Sequence, residues 1–302
     1  MSDTNINCKH KQLICNDKES VDFCKKCGCF LIVKTNNKIK EIDSFTVLPK
    51  KIITSLDISP YDTILKMKDQ MKDNDLSQLY STIPEEYHQM RKALVEMLKD
   101  YIIEYGFSTR SYFLGVYILD YIYCNYSYND VISKLKTDLF ILGVFLVAIK
   151  FIDDDAYPPA LDTFPKKKSP TIYYSLNDVR KYEFIVIKLM NFKLDYFTSY
   201  YITETILAHG VVFTKELQAL NCLDPKTIKD KLKKLYRLSL DINKMFVEDI
   251  NCLKFNIFDI SVTSIVMAKE LLKFETAWNP ELEHLYQIKQ NSLASCYNSI
   301  LK

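Results

Sequence analysis

Glycine is scarce in this chain, with five in 302 residues. Neither G-x-x-x-x-G-K-[ST] nor G-x-G-x-x-G occurs, which argues against the backbone-lined phosphate cradles of nucleotide enzymes. An excess of one charge is also missing. Forty Lys plus Arg face 38 Asp plus Glu, a net charge of +2, too balanced for electrostatics to predict a nucleic-acid partner. Long apolar runs are absent as well. The longest, Leu139 to Ile149, falls short of the roughly 20 residues that a membrane helix needs, and it reads as a buried core helix. The first residues, MSDTNINCKHKQ, hold no apolar run with a small-residue cleavage site. No secretory signal is therefore expected, and the chain is expected inside the cell, in nucleus, cytoplasm or both, without a membrane partner.

What is present is a large apolar inventory. A hydrophobic fraction of 48% is enough to bury a core in each of two ordinary domains. Nine cysteines in an intracellular chain point to thiols or metal rather than disulfides. Five of them, Cys8, Cys15, Cys24, Cys27 and Cys29, crowd into the first 29 residues with His10. Cys24-Lys25-Lys26-Cys27-Gly28 has zinc-knuckle spacing, with a glycine that lets the backbone turn under the metal. Cys8 and His10 are the best second pair. Cys15 is the alternative to His10, and Cys29 the weaker ligand. Such a Cys₃His set, filled entirely by protein, is expected to hold a structural zinc. Free cysteines in a disordered tail are the plainer reading. Cys124, Cys222, Cys252 and Cys296 have no partner spacing and read as core residues.

Residues 1–48 otherwise read as short strands and turns, with Phe30 to Lys34 as the clearest strand. From about Ser55 the pattern is helical. Pro84, Glu85 and Glu86 form a plausible first turn for a helix whose stripe is Met90, Leu94, Met97, Leu98 and Tyr101. Ser108 can cap the next helix, and a third is expected from about Ser133 to Phe151, stopping at Asp153 to Asp155 before Pro158 and Pro159. Ser175 with Asp178 resembles a capping box for a helix through Met190, followed by an extended stretch, Asn191 to Tyr196. A second helical series follows: Thr198 to His209, Asp224-Pro225 through about Ser239, Phe258 to Phe274, and a helix started by Asn279-Pro280. The expected fold class is all-α, as two helical domains after a small zinc-stabilised module. The boundaries are 1–48 for the module, 49–88 for a linker and first helix, 89–197 for the first helical domain and 198–302 for the second.

Two charges are conspicuous. Lys150 lies in FILGVFLVAIKF and Glu183 in VRKYEFIVIKLM, where a charge without a partner would be costly to desolvate. On one face they are either an internal brace or part of a docking surface. His88, His209 and His284 are isolated and read as structural. Lys166 to Lys168 reads as a solvated loop. No arrangement of a nucleophile, base and acid emerges, so no catalytic residues are expected.

Met90 to Cys124, with Met90-Arg91 at its start and Asp120 near its end, resembles the opening of a cyclin box. Leu142 to Phe164 is similar to the family's third helix, an Ala-rich run ending in Ala-Ser-Lys-Phe-Glu-Glu and Tyr-Pro-Pro, and Asp178 to Thr198 is similar to its fifth. Phe255 to Leu282, including Trp278, resembles the C-terminal repeat more loosely. The resemblance spans about residues 55–302. It implies two tandem five-helix cyclin-like domains and a non-catalytic regulatory subunit that binds and activates a cyclin-dependent serine/threonine kinase, with kinase substrates as further partners and a role in the cell cycle and cell division. It implies that Lys150 and Glu183 lie side by side and bind kinase backbone groups, with Phe151, Ile187, Phe192 and Leu194 as apolar contacts.

The chain departs from the pattern in places. Where many cell-cycle cyclins carry a substrate-docking patch with tryptophan and isoleucine, the positions read Met90, Ala93, Leu94 and Met97, which speaks against substrate docking there. Phe197-Thr198 stands for Pro-Thr, and Ala148-Ile149-Lys150 for Ala-Ser-Lys. No destruction-box motif is present in the N-terminal region. Two other classes also fit a cysteine module followed by two cyclin-like repeats: a protein resembling transcription factor IIB, and a cyclin-fold scaffold without kinase binding. The near-neutral charge disfavours the first.

Overall fold

The computed structural model describes residues 22–24, 32–33, 44–48, 60–72, 75–153, 174–213, 216 and 225–300. The described chain is mostly helical. Its short strands are β1 (Asp22–Cys24), β2 (Ile32–Val33), β3 (Ser44–Leu48) and β4 (Val212–Phe213). β3 pairs parallel with β1 and antiparallel with β2 and β4, so the small sheet is not confined to residues 1–48. Cys24 ends β1. Cys8, His10, Cys15, Cys27 and Cys29 lie outside the described residues, and among the described residues no cluster of His, Cys, Asp or Glu could hold a metal ion. No described helix is long and apolar enough to cross a membrane.

The helices are α1 (Pro60–Met71), α2 (Glu85–Tyr105), α3 (Thr109–Asn125), α4 (Thr137–Ile152), α5 (Leu176–Leu189), α6 (Ser199–His209), α7 (Pro225–Glu248), α8 (Ile257–Leu271), α9 (Pro280–Tyr286) and α10 (Ala294–Ile300). Their ends follow local chemistry. Glu85 and Glu86 occupy the first turn of α2, where the dipole favours them. Gly106, at φ 72°, ends α2 in a left-handed cap whose N–H donates to the carbonyls of Ile102 and Ile103. The side chains of Ser108, Ser175 and Asn279 accept hydrogen bonds from the N–H groups of Ser111, Asp178 and Leu282, fixing the starts of α3, α5 and α9. α4 begins later than the apolar pattern predicts. Ile132–Lys134 is a separate 3₁₀ turn, and Lys136 caps α4 without a side-chain hydrogen bond.

The chain divides into two compact units. The first comprises Met71–Tyr200 and Lys244–Ile257. α4 is its central helix: every residue from Leu139 to Ile149 is buried, and α3 and α5 are its main neighbours, joined by α2. Burial on all sides explains why this helix is apolar all round rather than striped. The second unit comprises Met1–Gln70, Tyr201–Asn243 and Phe258–Lys302, with α8 buried along most of its length. Lys269 of α8 and Glu216 are exposed by 0% and 1% and pair at 2.8 Å. Lys269 also donates to the Val211 carbonyl at 2.9 Å, while Glu216 accepts from the N–H of Phe213 at 2.8 Å. A buried pair needs such additional hydrogen bonds to offset desolvation.

His209, at the end of α6, is buried, and its Nδ1 has no hydrogen-bond partner among the described residues. Desolvation lowers its pKa from the ordinary 6.5 to about 4. The native imidazole is therefore neutral, whereas an unfolded chain takes up a proton as pH falls below 6.5. Stability present above that pH is lost on acidification, progressively until about pH 4, by an amount on the order of 3 kcal/mol. Urea unfolding at several pH values should show this loss in the native chain and a smaller one in His209→Gln. Equal slopes in the two would exclude the buried imidazole as the cause.

Candidate functional site

α4 and α5 meet at backbone distance. A Cβ on Gly143 would lie 2.9 Å from the carbonyl oxygen of Tyr182 and 3.2 Å from the backbone nitrogen of Glu183, so only glycine fits. Val179, Tyr182 and Val186 form the buried face of α5, and Met190, which caps it, is buried on the same side. The Tyr182 hydroxyl accepts from the N–H of Lys136 at 2.8 Å, and the Tyr174 hydroxyl donates to Asp138 at 3.0 Å. Both contacts hold the start of α4. At its other end Asp153 accepts from the Ser111 hydroxyl at 2.6 Å and the Ser108 N–H at 3.2 Å, tying the last turn of α4 to the start of α3.

These constraints bring Lys150 and Glu183 together, with Nζ to Oε1 at 2.5 Å. The side chains are 42% and 15% exposed, so the ammonium is half in solvent and the carboxylate largely covered. Lys150 occupies the last turn of α4, where its long stem carries the ammonium out past the apolar surface. Among the described residues of this unit, the fully buried charges are Arg91 and Asp120, exposed by 1% and 5%. Arg91 binds Asp120 with two nitrogens, at 2.7 and 2.9 Å, and donates to the carbonyls of Val247 and Glu248 at the end of α7. The Tyr87 hydroxyl donates to the same carboxylate at 2.6 Å. Burial first, and then the charge of Asp120, raise the Tyr87 pKa well above its ordinary value, so this group stays a donor.

The apolar residues expected beside Lys150 and Glu183 differ in exposure. Phe151 is 46% exposed and Phe192 67%, with Ile187 and Leu194 half-buried. Residues 191–196 are not simply extended. Asn191 and Phe192 have φ of 53° and 58°, and their N–H groups donate to the carbonyls of Lys188 and Ile187 at 3.0 Å. α5 thus ends in a left-handed turn without glycine. Asn tolerates that region, while a bulky Phe there is strained by about 1 kcal/mol, and the turn holds the ring outward. Phe184, absent from the expected contacts, is 57% exposed and packs edge-on against Phe192 with ring centroids 6.2 Å apart. Its signal in the sequence is an aromatic at four-residue spacing from Arg180 and Lys188, on the polar side of α5.

Of the substrate-docking positions, Leu94 is 2% exposed and belongs to the core. Met90 and Met97 are half-buried and Ala93 is exposed. The Met90 sulfur accepts from the Tyr123 hydroxyl at 3.5 Å.

Gly143→Ala tests the close approach. The added methyl group would meet backbone atoms that cannot swing aside, so the helices must separate. The expected loss is about 1–3 kcal/mol in urea unfolding, typical of overpacking, with Glu183 displaced from Lys150. An unchanged midpoint would show that α4 and α5 have room to spare.

No family model matches the chain. Among curated proteins it is similar to the G2/mitotic-specific cyclin-A of Drosophila melanogaster, with 23% identity over 206 residues, or 68% of this chain and 36% of that protein. The chain thus spans about a third of that relative's length. This weak similarity supports a cyclin-like family, and the mostly helical fold is consistent with it.

Proposed function

We propose that this cyclin-like chain is a non-catalytic regulatory subunit that binds and activates a cyclin-dependent serine/threonine kinase inside the cell, with cell-cycle control as its setting. The observation that carries the reading is the Lys150–Glu183 pair joining α4 to α5, with side chains 42% and 15% exposed, together with the exposed rings of Phe151, next to Lys150 in α4, and Phe192, just past the end of α5. A polar pair accompanied by exposed apolar side chains suits docking, because it can fix the register of a partner whose apolar side chains supply the area. In this role Lys150 donates to a carbonyl or carboxylate of the kinase and Glu183 accepts from its N–H groups. The rings exclude water from both.

Tagged full-length chain recovered from its native extract should bring down a serine/threonine kinase, and adding purified chain to that kinase should raise its activity. A stable chain that recovers no kinase, or a kinase indifferent to it, would overturn the reading. The cysteine module is proposed as a structural zinc site through Cys8, His10, Cys24 and Cys27, on sequence spacing alone. One zinc per chain is expected by elemental analysis, lost with a strong chelator and restored on adding zinc. A purified chain without zinc that takes none up would refute it.

A further inference from the structure

The side of α5 opposite its buried face carries a row at four-residue spacing: Leu176, Arg180, Phe184 and Lys188, closed by Phe192 through the left-handed turn. Residues so spaced share one helical face. Leu176, Phe184 and Phe192 are 45%, 57% and 67% exposed, and Arg180 and Lys188 are exposed between them. Among the described residues neither cation has an ion-pair partner. Single exposed apolar side chains need no explanation, but three in line, interleaved with two cations that have no ion-pair partner among the described residues, form a patch of defined chemistry.

We infer that this row docks an acidic peptide segment of a partner protein, with two carboxylates about 12 Å apart, the rise of eight helical residues, and an apolar side chain between them over Phe184. Charge complementarity carries the assignment. Arg180 can take one carboxylate with two parallel hydrogen bonds and Lys188 the other as a point charge, while the Phe184–Phe192 pair covers the apolar residue. A nucleic acid fits less well. Aliphatic Leu176 offers no plane for a base to stack on, and the cations are separated by apolar side chains rather than continuous along a phosphate chain. The inference does not rest on the kinase reading, because the row has its own charge pattern and shares only Phe192 with that surface.

The test is fluorescence anisotropy on the full chain with three labelled probes. One is a peptide with two glutamates two helical turns apart and leucine midway, the second is the same peptide with lysine for glutamate, and the third is an oligothymidylate. The glutamate peptide should bind and weaken as salt is raised, while the lysine peptide should not bind. Arg180→Glu with Lys188→Glu should cost about tenfold or more in affinity, and the milder Arg180→Ala a smaller factor. Phe184→Ala should weaken binding without changing its salt dependence. These positions are exposed, so circular dichroism should be unchanged in each variant. No binding of the glutamate peptide, equal binding of both peptides, preference for the oligothymidylate, or full affinity after charge reversal would each overturn the inference. Kinase recovery with Lys150→Ala is a separate readout, so the failure of one reading is not mistaken for the failure of the other.

Discussion

Arg91→Ala is expected to lower the unfolding free energy by about 3–5 kcal/mol, the cost of removing one member of a buried ion pair. The mechanism is specific. Asp120, 5% exposed in its side chain, would keep its Tyr87 hydrogen bond but lose both guanidinium bonds. The carbonyls of Val247 and Glu248, at the C-terminus of α7, would lose the Arg91 donor too. With ordinary domains stable by only about 5–15 kcal/mol, such a loss is a large share of the total. Urea unfolding followed by circular dichroism measures it. A loss below about 1 kcal/mol would mean that water or a shifted side chain satisfies Asp120, and the account of a sealed network would be wrong.

The double variant Arg91→Met with Asp120→Leu separates two contributions. Replacing both charges by apolar groups of similar volume is often neutral or stabilising, since neither ion is left unpaired. Here the recovery should be partial, because the last turn of α7 still lacks its donor. The Lys99–Glu248 pair at 2.6 Å remains, but both side chains are about a third exposed and add little. Hydrogen exchange in residues 244–248 should therefore stay faster in the double variant even where global stability returns.

The helical segments were legible in the sequence wherever chemistry is local. Ser108, Ser175 and Asn279 announce helix starts because a side-chain oxygen reaches an N–H two or three residues on, whatever the rest of the chain does. The runs around Leu142 and Val262 announce central helices because only full burial suits an all-apolar surface. Charge burial was not legible. Lys150 in VAIKF and Lys269 in VMAKE look alike as text, yet one side chain is 42% exposed and the other 0%. Each pairs with a distant glutamate, Glu183 for Lys150 and Glu216, 53 positions away, for Lys269, so the difference lies in how the surrounding elements cover the pair. The Arg91–Asp120 pairing across 29 residues is hidden for the same reason. Desolvation is a property of the assembled neighbourhood, and no window of sequence contains it. The turn at Asn191 and Phe192 was missed because it uses no glycine, the residue that normally marks a left-handed cap. Phe184 is hidden because it sits on the polar side of α5, where an aromatic between Arg180 and Lys188 carries no periodic apolar signal.

On the proposed reading, Lys150→Ala and Glu183→Ala should each cut kinase affinity at least about tenfold, or about 1.4 kcal/mol, while changing the unfolding free energy by less than about 1 kcal/mol. The second half follows from exposure: a pair with one side chain 42% in solvent behaves as a surface salt bridge, worth about 0–1 kcal/mol. A brace predicts the opposite pattern, with stability lost first and binding only as a consequence. The charge swap, Lys150→Glu with Glu183→Lys, sharpens the distinction. It keeps an ion pair between α4 and α5, so a brace would be restored and kinase recovery with it. A docking pair would not be restored, because the partner's acceptor would face a carboxylate and its N–H groups an ammonium. The expected result is near-native urea unfolding with kinase recovery as poor as in either alanine variant. Native recovery in the swapped chain would assign the pair to the interior economy of the fold and leave docking to the apolar rim alone, where Phe151→Ala and Phe192→Ala would then be the variants to measure.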